Sequence, residues 1–72
     1  MKDEEYLQKL GKRIKEVRQK KKLTQSELAY RMKIDDSSLR RIESGRVNSS
    51  INMLRKLAKC LEVSLVELID IK

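Results

Sequence analysis

At 72 residues the chain has room for one compact domain and no more, and a domain of that size buries only about 60% of its unfolded surface. Its 18 Lys and Arg outnumber 11 Asp and Glu, a formal net charge of +7, which makes nucleic acid, an anionic membrane surface or an acidic protein the natural partners. With no Pro and two Gly the composition suits helices joined by short turns rather than an all-β fold, and with no His and a lone Cys60 it offers no internal disulfide, no metal cluster and no catalytic constellation.

The first helical pattern places Leu7, Leu10, Ile14 and Val17 on one stripe. Asp3, Glu4 and Glu5 at its start and Lys20, Lys21 and Lys22 at its end both complement the helix dipole. Gly11 inside this helix costs about 1 kcal/mol against Ala, which predicts the close approach of another helix. Thr24 with Glu27 reads as a capping box, and Leu28, Ala29 and Met32 give the second helix a short apolar face. Asp35 is the next N-cap candidate. Leu39 and Ile42 form the buried side of a third helix that Gly45 ends in the left-handed conformation. After a polar loop from Arg46 to Ser49, Ser50 caps a fourth helix with Ile51, Leu54, Leu57, Ala58 and Leu61 as its stripe. Ser64 with Glu67 reads as another capping box, opening a last short helix with Leu65, Leu68 and Ile69. The expected fold is all-α, a compact five-helix bundle in a single domain over 1–72.

The second and third helices, from about 24 to 45, are joined only by Lys33 to Asp35. So short a connection forces a sharp crossing, in which one helix can lie in the major groove while its partner braces it. The residues here resemble the Cro/repressor-type helix-turn-helix domain, the XRE family. The resemblance includes Leu10-Gly11 and Arg18, Leu23-Thr24-Gln25, Leu28-Ala29, Ile34, Ile42-Glu43, Gly45, Asn48, Leu57-Ala58 and Val63-Ser64-Leu65, in register over nearly the whole chain. It implies a lambda-repressor-like fold and a sequence-specific regulator of transcription, expected to be a repressor, that binds double-stranded DNA.

Carried over position by position, the resemblance implies that Gln25 touches a DNA phosphate and buttresses the recognition helix. The physics of a helix N-terminus agrees, although an ordinary first-turn polar residue would look the same. The recognition helix should run from Asp36 to about Ser44, with Asp36, Ser37 and Ser38 entering the groove. Asp36, Ser37 and Arg41 are the expected base readers. Arg41 suits guanine, whose O6 and N7 a guanidinium can grip; phosphate contact or a solvated charge is its alternative. Gln25, Ser38, Arg40, Arg46 and Asn48 are the expected backbone contacts, with a solvated loop as the alternative for the last two. Asp36 departs from the residues common there: it could accept from cytosine N4, orient Arg40 four residues on, or simply begin the helix. Arg18 and Glu43 match positions that form a salt bridge setting the recognition helix angle.

Lys22 and Lys33 stand where the family usually has Gly, so either a positive φ is borne at a cost or the turns differ. Ser49 replaces a common Pro, and Cys60 reads as a half-buried small apolar residue. The expected partner is a palindromic operator bound by a homodimer, since one domain this small grips few base pairs. Val63, Val66, Ile69 and Ile71 are candidates for the dimer surface, or else they close the core. The alternative is a protein-interaction or antitoxin-like module on the same fold, a reading to which Asp35 and Asp36 lend weight. A membrane-surface role fares badly, since the apolar stripe of the first helix lacks large aromatics and is needed for the core. The N-terminal MKDEEYLQKL lacks the apolar segment of a secretory leader, so the expected location is the cytoplasm. No cofactor or small-molecule ligand is expected.

Overall fold

The computed structural model describes residues 2–71, which form five helices: α1 (Asp3–Lys20), α2 (Gln25–Met32), α3 (Asp36–Glu43), α4 (Ile51–Leu61) and α5 (Leu65–Ile69). Three of them start on a side-chain oxygen. Thr24 Oγ1 accepts from the Glu27 N–H at 3.0 Å, and the Glu27 carboxylate accepts in return from the Thr24 N–H at 2.9 Å, closing the expected box. That return bond is the main reason the Glu27 carboxyl is held below its ordinary range, with the Thr24 hydroxyl and then Arg31 adding to it. Ser50 and Ser64 accept from the Met53 and Glu67 N–H groups, both at 3.1 Å. The Ser64 box is only half formed: the Glu67 side chain returns no bond, and its backbone carbonyl instead accepts from Arg13 Nε and Nη2 at 3.2 and 3.0 Å. Asp35 holds the N-cap position of α3 with an extended backbone, but its side chain makes no cap bond.

Three helix ends share one device. Lys22, Lys33 and Glu62 all take the left-handed conformation, with φ of 59°, 58° and 59°. The N–H of the next residue then reaches back into the helix it leaves, Leu23 to Arg18, Ile34 to Ala29 and Val63 to Ala58, at 3.1, 3.1 and 3.0 Å. Leu23, Ile34 and Val63 tuck against the core, and the residue after each holds the N-cap position of the following helix, Thr24 and Ser64 with a side-chain bond and Asp35 without one. Each connection is therefore a left-handed residue, an apolar anchor and a cap. The chain accepts about 1 kcal/mol or more of backbone cost at each non-glycine site. Both lysines thus adopt the geometry of the glycine they replace; Glu62 does the same at a third turn.

The core is lined by Leu10, Ile14 and Val17 of α1, Leu28 and Met32 of α2, Leu39 of α3, Leu57 and Leu61 of α4 and Leu68 of α5. α1 packs on α3 and α5, α2 on α3 and α4, and α4 on α5. Gly11 is where α1 meets the end of α3: a Cβ there would press on the Glu43 carbonyl and lie 2.7 Å from that of Ile42. Gly45, at φ 77°, turns the chain out of α3 so close to α1 that a Cβ would lie 2.7 Å from the Gln8 Cα. Two apolar assignments change. Ile51 is in line with the α4 stripe, but as the first residue of the helix it stands 58% exposed at the open end. Of the four C-terminal aliphatics, Val63, Ile69 and Ile71 lean on the core, and only Val66 is outward, 70% exposed. No helix is long and apolar enough to cross a membrane among the described residues.

Candidate nucleic-acid interface

The helix-turn-helix is built by α2, α3 and the three-residue turn Lys33–Asp35. Lys33 closes α2 in the left-handed form, Ile34 pins the turn to the core, and α3 leaves at once from Asp35. Leu39, Ile42 and Glu43 face inward, while Asp36, Ser37, Arg40 and Arg41 are exposed and Ser38 is half-buried. At about 100° per residue, Ser37 and Arg41 lie nearest the middle of the outward arc, opposite Leu39, Ile42 and Glu43, and Arg40 lies nearer its side. The helix itself ends at Glu43; Ser44 is its C-cap, one residue short of the expected end, with its hydroxyl turned back to donate to the Arg41 carbonyl at 3.1 Å.

A polar network beneath this face joins three elements. Arg18 of α1 donates through Nε and Nη2 to the two carboxylate oxygens of Glu43, at 2.7 and 3.1 Å. Its Nη1 donates to the Leu23 carbonyl at 2.9 Å. Gln25 Nε2, from the first residue of α2, donates to Glu43 Oε1 at 3.1 Å. The Arg18 and Glu43 side chains are only 9% and 4% exposed, and no buried side-chain N or O among the described residues lacks a partner. A bidentate, fully hydrogen-bonded pair is the form in which buried charge is tolerable, and losing one partner costs about 3–5 kcal/mol. The network ties the end of α3 to α1 and to the first turn of α2, so the angle of α3 is set from both sides. Gln25 is thereby placed beside Glu43, with the Gln25 and Ser26 N–H groups left without intrahelical partners, as at any helix start.

The loop after α3 adds charge at the same edge. The Arg46 N–H donates to the Arg41 carbonyl at 3.0 Å, which holds Arg46 one turn below Arg41. Val47 anchors the loop in the core while Arg46 and Asn48 stay exposed. The helix-turn-helix family HTH_3 matches residues 14–68. The chain belongs to that family. The solved restriction-modification controller protein C.AhdI from Aeromonas hydrophila is 37% identical, over 86% of this chain and 94% of that one, with a TM-score of 0.82. The restriction-modification controller C.Esp1396I is 35% identical, over 90% of this chain and 86% of that one, at 0.81. The clp gene regulator ClgR from C. glutamicum is 26% identical, over 90% and 88%, at 0.82. Among curated proteins none matches.

Within this HTH_3 chain a polar contact between the first turns of α2 and α3 is not among those the sequence signals. Ser26, in the first turn of α2, donates its hydroxyl to Asp36 Oδ2 at 2.5 Å. The Asp36–Arg40 pair, one of the three readings of Asp36, does not form: Arg18–Glu43 is the one ion pair among the described residues. The only advance signal was a small hydroxyl ten residues before an acid, at the first turns of two helices joined by a tight turn. Cys60 is half-buried, with Sγ 3.7 Å from the Arg31 carbonyl. No group of three His, Cys, Asp or Glu that could hold a metal ion occurs among the described residues.

Proposed function

We propose that this chain is a sequence-specific regulator of transcription that binds duplex DNA, a repressor acting as a homodimer on a palindromic operator in the cytoplasm. The observation that carries this reading is the exposed polar face of α3, held at a fixed angle by the Arg18–Glu43–Gln25 network. A helix of that exposure fits the major groove, and the basic balance of +7 supplies the attraction to phosphate. Asp36, Ser37 and Arg41 read base edges. Gln25, Ser38, Arg40, Arg46 and Asn48 hold the sugar–phosphate backbone, with the free N–H groups at the start of α2 supporting Gln25. That relatives at 35% and 37% identity are restriction-modification controllers supports a regulator. Pairing of two copies draws on Val66, the outward member of the C-terminal aliphatic set, with Val63, Ile69 and Ile71 beneath it.

Selection of bound sequences from a random duplex pool tests the assignment. The expected product is an inverted repeat, its half-sites about 34 Å apart, with a strong G at one position per half-site. Arg41→Ala relaxes that position alone. An unchanged G preference in Arg41→Ala would assign the reading of guanine elsewhere. Absence of duplex binding at low salt would favour the protein-interaction module.

A further inference from the structure

We propose that Ser26 is a positioning residue for Asp36, and that together they make an acceptor site selecting a base that offers an amino group in the major groove. This rests on the DNA-binding reading above. Asp36 opens α3 and is exposed, so its carboxylate stands where the recognition helix enters a groove. Position on the helix gives it an obvious partner in Arg40, one turn on, the spacing at which acid and base attract. The carboxylate turns the other way. Its Oδ2 accepts from Ser26 on the neighbouring helix at 2.5 Å, a short bond of the charge-assisted kind. Two consequences follow. Arg40 makes no ion pair among the described residues and keeps its donors for DNA. An ionised carboxylate accepts at both oxygens, so Asp36 retains acceptor capacity at Oδ1 in a direction that Ser26 fixes.

An acceptor-only group meets donors. In the major groove these are cytosine N4 and adenine N6, whereas guanine and thymine present acceptor oxygens that a carboxylate repels. Phosphates repel it too, whatever the sequence, so Asp36 lowers affinity for every duplex and returns discrimination at one position. Without the Ser26 hydroxyl the carboxylate is released to Arg40, withdrawing both the acceptor and a cation.

Selection from a random duplex pool with wild type, Asp36→Ala, Ser26→Ala and Ser26→Thr tests the pair. Wild type enriches cytosine or adenine about tenfold at one position per half-site. Asp36→Ala abolishes that enrichment and binds an unselected duplex more tightly. Ser26→Ala cuts the enrichment to under about threefold at that position alone, with the Arg41-dependent guanine and the melting temperature unchanged, and Ser26→Thr restores it. If Ser26→Ala keeps full enrichment where Asp36→Ala loses it, Ser26 has no positioning role. If Asp36→Ala also keeps it, the acceptor site is wrong while DNA binding stands. Failure of the wild type to bind any duplex at low salt removes the DNA-binding reading itself.

Discussion

Glu43 and Glu27 are both hydrogen-bonded acids, yet burial gives them different work. Glu43 is buried and takes donors from Arg18 and Gln25, side chains of two other helices, so its charge is inseparable from the helix arrangement. Glu27 lies on the surface and serves only the start of α2. Its carboxyl is held below the ordinary value of 4.5, first by the Thr24 N–H, next by the Thr24 hydroxyl and then by Arg31. A depressed carboxyl stabilises the fold above its unfolded value and stops doing so as pH falls through its folded value. Thermal melts of wild type and Glu27→Gln should therefore differ near neutral pH, wild type melting higher, and converge as the pH falls through and below the lowered carboxyl value. A gap that persisted in acid would assign the box to hydrogen bonding without charge. The Thr24–Glu27 box was legible in the sequence because it spans three residues of one chain segment. The Ser26–Asp36 bond was not, because it depends on where the turn delivers α3 relative to α2.

At the scale of the element, the connections rather than the helices are what distinguish this chain. Gly11 and Gly45 were legible because a glycine in a helix, or just past its end, has few reasons to be there, and both meet backbone at the α1–α3 contact. Lys22 and Lys33 were legible only as departures, and the departure proved to be of residue type and not of geometry. Glu62 passed unnoticed, although Glu62-Val63-Ser64 repeats the order of Lys22-Leu23-Thr24. Ile51 is exposed although it lies in line with the α4 stripe, because a stripe gives direction along a helix and not where the core stops. Gly11→Ala sets a methyl against the carbonyls of Ile42 and Glu43, which as backbone yield little. It should destabilise the domain by about 1–3 kcal/mol, read by denaturant unfolding. Because that contact also seats Glu43, the same variant should lose duplex affinity more steeply than stability at temperatures where it remains folded. Unchanged stability would mean that α1 and α3 can part without cost.

For the whole molecule, the fold was readable from apolar spacing and caps, since a bundle this small has few ways to bury its stripes. The residues proposed for the interface come only through resemblance, because exposed Ser, Arg and Asp carry no periodicity of their own. What the structure adds is a single polar network that makes the recognition face a rigid part of the core. The central claim is that this face and its charged rim grip duplex DNA. Its most direct test is the affinity for a selected duplex, measured by titration across a range of salt concentrations. With Arg40 and Arg46 of two protomers each neutralising a phosphate, log affinity should fall against log salt with a slope of about −3 to −4, and Arg46→Ala should make it shallower by about 2. A salt-independent affinity, or no duplex binding at low salt, would contradict it.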